Sequence, residues 1–437
     1  MSRIPKVQVA AQTFKNGEIH NWYRIVLGFS DHLVADLIAE FKLRAGDRVL
    51  DPFSGSSTTA VECKKLGIDC WAVDANPSSC FAGKVKTTWT SAAGDLLAYA
   101  FLAAEHYEAM RKNKTLLKSD PTYRYIRESG MLERAWISGK RLLDVVAVKK
   151  AIQEINAPRT IQRALELGLM HEFVHRASNV RFGPELYCGK ARNGVNVLDD
   201  FLARITRMED DLEAARKCSP GQAHVIWGDA RTLSRKALGA PASGFDAVIT
   251  SPPYPTEHDY TRNSRLELAF LENVIDRNTL QTIKKKMIRS HTKGIYSSDS
   301  DEKEVAHLSR IQRLVQRIER KAAKKKYGFA RLYGKVTKEY FGGMRRHFRS
   351  LFSLLKPGAR CAYVVGDQAS YFRVRIPTAS ILGDIAVAEG FNVLEIRIWR
   401  KRWATTTQKF MNEHILLLRK PNSRPGRIRN SRAREAR

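Results

Sequence analysis

Two consecutive prolines place the tightest constraint on how this chain can fold. Phe245 and the run Ala247-Val248-Ile249 read as a short buried strand. It must stop where Pro252 and Pro253 remove two backbone donors and restrict the residue before each. Ser251, the two prolines and Tyr254 therefore stand at the carboxyl end of a strand, which in an open α/β sheet is where ligands bind.

Residues of these types suit attack by a weak exocyclic amine on an electrophilic methyl group. The Ser251 hydroxyl and the Pro252 carbonyl can accept hydrogen bonds from an NH2 group and so orient its lone pair. Tyr254 offers a flat face to a base drawn out of a stack. A strand ending in a proline turn with an aromatic lid has the same sequence, so this stretch alone leaves both readings open.

A second stretch adds to it. Arg48-Val49-Leu50-Asp51 reads as a strand, Pro52 to Ser57 as a tight turn, and Thr58 to Leu66 as a helix stopped by Gly67. Asp69 to Asp74 reads as a second strand ending in an acid, roughly 20 residues after the turn, the spacing at which a Rossmann-type unit places a carboxylate on ribose hydroxyls. Small residues in the turn let backbone approach a ligand at a helix amino terminus.

Asp51-Pro52-Phe53-Ser54-Gly55-Ser56-Ser57-Thr58-Thr59 together with Thr250-Ser251-Pro252-Pro253-Tyr254 resembles the paired motifs of the amino-methylating DNA methyltransferases. The resemblance covers residues 46 to 80 and 224 to 420, with a loose extension back to His20. It implies a Rossmann-like α/β fold, S-adenosylmethionine as cofactor, double-stranded DNA as partner, and a place in a restriction-modification or related defence system, the first of which would add a cognate restriction endonuclease. It assigns Ser251, Pro252, Pro253 and Tyr254 to catalysis, and Asp51, Phe53, Gly55, Ser56, Asp74 and Asp229 to the cofactor, with Asp229 on the adenine amine. Serine before Pro-Pro-Tyr is more typical of N4-cytosine enzymes and aspartate of N6-adenine enzymes. The chain departs from the family at Ser57, where glycine is usual.

The formal net charge of +30 over 437 residues calls for a polyanionic partner, because neutralised phosphates release condensed counterions. None of the six cysteines follows a proline, which removes the Pro-Cys nucleophile that a C5-cytosine methyltransferase needs. Their irregular spacing suits reduced thiols of a cytoplasmic protein. No apolar run reaches the roughly 20 residues of a membrane span.

After Asn76-Pro77 the next core strand is delayed until His224 to Asp229. The expected organisation is a discontinuous catalytic domain (1–89, 220–275 and 336–420), a large helical insertion (90–219), a basic second insertion (276–335) and a disordered basic tail (421–437). Helix-like patterning covers Leu96 to Met110, Ala135 to Ile155, Ile161 to Val174 and Asp199 to Cys218. Val180 to Val197 reads as a loop whose Arg181, Phe182, Tyr187, Lys190 and Arg192 suit nucleic acid, making 90–219 the preferred target-recognition region. A dimerisation scaffold would also account for that insertion. Glu257, His258, Asp259, Tyr260 and Arg262 are expected to border the substrate pocket, and the excess of positive charge around Lys284 to Lys293 and Arg310 to Lys326 to meet phosphate. Further on, Phe341 to Leu355 reads as a helix closed by Lys356-Pro357-Gly358, followed by strands at Cys361 to Val365, Val393 to Trp399 and His414 to Leu418.

His171-Glu172-Phe173-Val174-His175 fits a zinc-protease pattern, but Ser178 and Arg181 stand where the extended form needs Gly and His. No metal is expected. Three alternatives stay open: an N6-adenine DNA enzyme, an RNA base methyltransferase, and a non-catalytic DNA-binding protein on the same fold.

Overall fold

The computed structural model describes residues 19–23, 28–89, 94–182, 186–216, 218, 220–324, 328–404 and 407–422. The polar opening stretch 1–18 and residues 423–437 of the basic tail lie outside them. Among the described residues there are nine strands: β1 (Arg48–Asp51), β2 (Asp69–Asp74), β3 (Val180–Phe182), β4 (Leu186–Cys188), β5 (Ala223–Trp227), β6 (Phe245–Thr250), β7 (Leu355–Gly366), β8 (Asn392–Ala404) and β9 (Lys409–Arg419). Seven of them form one sheet in the order β5-β2-β1-β6-β7-β9-β8.

The first five strands of that order run parallel, and β9 is antiparallel to both β7 and β8. This is the expected α/β architecture. Val49, Leu50, Ala247, Val248 and Ile249 are wholly buried, because helices cover both faces. Asp31–Phe41 and Thr58–Lys65 pack on one side, Tyr333–Phe352 and Thr378–Ala388 on the other. Strands buried on both faces have no place for polar alternation, which is why these runs read as continuously apolar.

From β1 the chain moves outward through β2 to β5, then returns to place β6 on the other side of β1. The direction of winding therefore switches between β1 and β6, and the crevice for a ligand opens beyond their carboxyl ends. Both motifs sit there.

The segment between β2 and β5 is mainly helical, as expected, with long helices at Asp95–Lys112, Gly139–Glu154, Arg159–Glu172 and Val197–Ala215. Its apolar side chains share one continuous core with Trp22, Tyr23, Val85, Leu266, Leu268 and Phe270. The second of these helices starts later than the pattern suggested. Ala135 takes a left-handed φ of 55°, and Ser138 then caps the first turn by accepting from the Arg141 amide at 3.3 Å.

The stretch expected to be a loop carries the β3–β4 hairpin. Its arginines are partly committed to holding it. Arg192 donates to the carbonyls of Ser178 and Val180, and Arg181 to those of Val180 and Lys190. Burial, with Arg181, Arg176 and Arg141 nearby, lowers the Arg192 guanidinium to about 10.

Two further boundaries differ from expectation. The helix expected from Phe341 runs over Tyr333–Phe352, and Lys356-Pro357-Gly358 lies inside β7 rather than between elements. The register there jumps from Phe245↔Leu355 to Ala247↔Arg360, so the proline stands in a bulge where it breaks no ladder bond. In the basic insertion, Ser309–Ala322 buries Ile311, Leu314, Val315, Ile318 and Ala322 on one face. This spacing is that of an amphipathic helix whose opposite face carries the arginines.

Candidate active site

The turn after β1 is held from below. Asp51 is fully buried, and its carboxylate accepts from the Thr250 hydroxyl at 2.6 Å and the Phe53 amide at 3.2 Å. Burial pushes this carboxyl up to about 7, against the hydrogen bonds from Thr250, Thr59 and Phe53. Asp51 thus ties the end of β1 to the end of β6 beneath the crevice and does not line it.

At the end of β2, Asp74 accepts from the Gly55 amide at 2.8 Å and the Asn76 amide at 2.7 Å, one at each carboxylate oxygen. The Ser54 amide donates to the Val73 carbonyl at 2.9 Å, so turn and strand end are locked together. Burial raises the Asp74 carboxyl to about 6. Each of its oxygens keeps a lone pair for a further donor, such as a diol.

Ser57, where the resemblance calls for glycine, has a φ of 64°. A left-handed residue with a Cβ costs on the order of 1 kcal/mol. Space for its side chain comes from Gly83 in the helix Pro77–Lys86, where an added Cβ would overlap the Ser57 Oγ and fall 3.2 Å from Val225. The two positions are therefore coupled. Gly83→Ala is expected to lower the melting temperature by several degrees, corresponding to about 1–3 kcal/mol of overpacking. Ser57→Gly should restore most of that loss, as thermal unfolding of the two single variants and the double variant would report.

Across the crevice the Ser251 hydroxyl donates to the Val364 carbonyl at 3.1 Å, so toward any other group Ser251 acts as an acceptor. The Tyr340 hydroxyl donates to the Pro253 carbonyl at 2.8 Å, whereas no donor to the Pro252 carbonyl is found among the described residues. The Tyr254 amide donates to the Tyr260 hydroxyl at 3.4 Å, and the Tyr254 ring lies against the end of β7, where a Cβ on Gly366 would come within 3.0 Å of it. Burial holds the Tyr254 phenol well above its ordinary value, so it stays neutral.

One cleft, enclosing about 1250 Å³ with its open mouth included, brings together Phe53, Gly55, Ser56, Asp74 and Ser251 to Tyr254. Asp229 stands apart from its wall. Its carboxylate caps the Arg231 amide at 2.9 Å and pairs with the Arg231 guanidinium at 2.6 Å, and Arg231 continues to Asp301 at 2.7 Å. Ala230, the next residue, reaches the cleft instead. Of the residues expected to border the substrate, Tyr260 lines the cleft. Asp259 pairs with Lys284 at 2.7 Å, Glu257 accepts from the Thr292 hydroxyl at 3.0 Å, and Arg262 reaches the Leu186 carbonyl.

The upstream segment supports the turn from behind. Trp22 donates to Asp211 at 2.8 Å and Tyr23 to Glu267, while the buried Lys86 ammonium donates to the carbonyls of Tyr23 (3.2 Å) and Ser56 (2.8 Å). Gly28 and Phe29 reach the cleft itself.

Sequence reasoning missed the far wall. Lys286, Met287, Ile288, Ser290 and His291 of the basic insertion line the cleft, and the Tyr371 hydroxyl secures them, lying 3.0 Å from the Ser290 carbonyl and 3.1 Å from that of Thr256. It missed His347 as well, which sits edge-on to Phe53 with ring centroids 4.9 Å apart. Burial lowers this imidazole to about 4. Being neutral, it donates through Nδ1 to the Ala230 carbonyl (2.9 Å) and accepts through Nε2 from the Tyr363 hydroxyl (2.7 Å). The periodicity of its helix marked position 347 as inward-facing; nothing local marked it as the support behind Phe53.

No protein-family model matches the sequence. The chain is 28% identical over 450 aligned residues to the type II methyltransferase M.BsoBI of Geobacillus stearothermophilus, covering 94% of this chain and 86% of that one. It is 23% identical over 466 residues to the type II methyltransferase M.AvaI of Anabaena variabilis, covering 94% and 89%. Both of these relatives are type II methyltransferases. A shorter match, 44% identical over 41 residues, joins it to the type II methyltransferase M.MjaII of Methanocaldococcus jannaschii, covering 9% of this chain and 8% of that one. The two long alignments run through both insertions, so the methyltransferase likeness is not confined to the two motifs.

The histidine motif does not assemble into a ligand set. A π-helical turn over Phe173–Ala177 begins directly after Glu172, which is bonded by His171 at 3.1 Å and by Arg204 at 2.8 Å. Among the described residues no group of three or more His, Cys, Asp or Glu side chains is arranged to hold a metal ion. Nor, among them, is any helix long and apolar enough to cross a membrane.

Proposed function

We propose that the chain is a site-specific DNA methyltransferase. It transfers a methyl group from S-adenosylmethionine to the N4 amine of a cytosine rotated out of double-stranded DNA, with a cognate restriction endonuclease as its counterpart. The observation that carries this reading is the shared cleft, in which the Asp74–Gly55 turn stands opposite a Ser251 whose hydroxyl proton is already engaged. The type II methyltransferase relatives and the net charge of +30 support it.

S-adenosylmethionine, when bound, supplies an electrophilic methyl group. The donor set fits it: an acceptor-only carboxylate at Asp74 for a ribose diol, the Phe53 ring for a purine, and the small Gly55 and Ser56 for close backbone approach. Ser251 and the Pro252 carbonyl accept the two N–H bonds of the target amine and turn its lone pair toward the methyl carbon. Tyr254, neutral and braced by Gly366, takes the face of the displaced base. The methylated amine loses its extra proton to solvent water after transfer. Holding nitrogen and methyl at near-attack distance supplies much of the acceleration. A neutral hydroxyl at position 251, where the resemblance associates a carboxylate with adenine, supports cytosine as the base.

The test is methyl transfer from tritiated S-adenosylmethionine to genomic DNA and to total RNA, followed by nucleoside analysis. N4-methylcytosine in DNA is the expected product. N6-methyladenine would keep the mechanism and overturn the base assignment, whereas label confined to RNA would overturn the substrate.

A further inference from the structure

The β8–β9 hairpin runs past the end of β7. Gly366, the last residue of β7, pairs with Glu413, and the hairpin continues through Lys401↔Asn412 and Arg402↔Met411 to the directly opposed pair Trp403↔Phe410. At about 3.4 Å per residue this pair stands roughly 10 Å beyond the sheet, on the edge that carries Tyr254. The two are linked step by step: the Tyr254 ring lies on Gly366, the Asp367 amide donates to the Asn412 carbonyl at 2.9 Å, and Arg402 reaches Gln368 at 3.4 Å.

Trp403 and Phe410 are 53% and 50% exposed, with ring centroids 5.2 Å apart. Large aromatics held together in water beside a reaction site mark a contact surface. Positive charge continues from them. Arg375 lines both the cleft under the hairpin and a second cleft against Ser309–Ala322, where Arg313 and Arg317 lie one turn apart. The bordering carboxylates are already occupied, Asp367 by Arg375 and Asp384 by Arg310. Arg313, Arg317 and Arg373 are exposed, and no carboxylate partner for them is found among the described residues.

We infer that this hairpin and the arginine face of Ser309–Ala322 form one duplex-DNA-binding surface, with the Trp403–Phe410 pair stacked beside the displaced base and Arg313, Arg317 and Arg373 on flanking phosphates. The inference rests on the DNA-methyltransferase reading, and goes beyond it by placing the duplex on this surface rather than on the helical insertion. Exposed aromatic rings give an unpaired base a face on which to stack, whatever its identity.

The test uses the full chain and a fluorescein-labelled 30-base-pair duplex of random sequence, titrated at several salt concentrations. Arg313→Ala/Arg317→Ala/Arg373→Ala is expected to weaken binding about 10- to 100-fold and to reduce the slope of log affinity against log salt by roughly 2 to 3. Trp403→Ala/Phe410→Ala should keep that slope and lower methyl transfer to genomic DNA about 10-fold, with cofactor affinity unchanged. Wild-type slope and affinity in the triple arginine variant would overturn the inference, as would the same losses appearing only when Lys112, Lys114 and Lys118 of the helical insertion are replaced. A wild-type protein that binds transfer RNA and ignores the duplex would instead sink the reading on which it rests.

Discussion

Replacing Ser251 by alanine is expected to lower the single-turnover rate of methyl transfer by about 100-fold, the scale seen when one preorganised polar group is removed from a reacting centre. Cofactor affinity should stay within about two-fold, because Ser251 lies across the cleft from the Asp74–Gly55 turn. The lost group is small, and the bond it donates in the fold runs to the Val364 carbonyl at 3.1 Å. Stability should therefore move little. Single-turnover kinetics and calorimetric titration with S-adenosylhomocysteine separate the two effects. A parallel loss of both would show that Ser251 holds up the cleft rather than the amine.

The second large effect is expected at Asp74. Asp74→Ala leaves the Gly55 and Asn76 amides without their partner and, on the proposed reading, removes an ionised acceptor for the cofactor. With charged hydrogen bonds contributing about 1.5–3 kcal/mol, cofactor affinity should fall on the order of 10- to 100-fold or more. Asp74→Asn should lose less, since its carbonyl can still serve one of the two amides.

On the proposed reading, the carboxyl of Asp74 is also expected to give cofactor binding a pH dependence. Its value is raised to about 6, so it is an acceptor above that pH and protonates as pH falls through it. Affinity should weaken between pH 7 and pH 5, and the slope should flatten in Asp74→Asn. Stability itself responds in the opposite sense to this group, because the folded state binds the proton more tightly than an ordinary carboxyl of 3.8 and gains from acidification between 6 and 4. His20, His171, His347 and His414, all lowered by burial, lose stability over the same range as the unfolded chain takes up their protons. Affinity, not melting temperature, is therefore the informative readout.

How much of this was legible in the sequence follows from how local each feature is. The crevice was legible because prolines at 252 and 253, the small residues at 54 to 57 and the acid closing β2 each act within a few residues of their own backbone. The left-handed conformation of Ser57 could be anticipated, but the accommodation at Gly83 could not. The two residues meet only once a helix and a turn have packed.

Pairings across the fold were equally silent. Asp229 lies two residues past the strand that was expected to end on it and caps the next turn, and Arg231 occupies its carboxylate; that arginine is anchored by Asp301, 70 residues away. The basic insertion looked like phosphate-binding charge, but Arg289 is 4% exposed and pairs with Asp299 at 2.7 Å. Charge runs do not reveal which members are neutralised internally, and nothing in Met287-Ile288 announced the wall of a cleft.

The continuous apolar core beneath the helical insertion bears on how such chains can be recombined. Residues 95–215 bury their side chains against Trp22, Tyr23, Val85 and the Leu266–Phe270 turns, which belong to the segments before and after them. A graft that exchanged only 95–215 for the corresponding stretch of a relative would juxtapose two surfaces never selected to fit. Transplantable units must include the 19–23 and 264–274 segments, so the cut sites for a working chimera lie in the catalytic framework, outside the insertion's apparent borders.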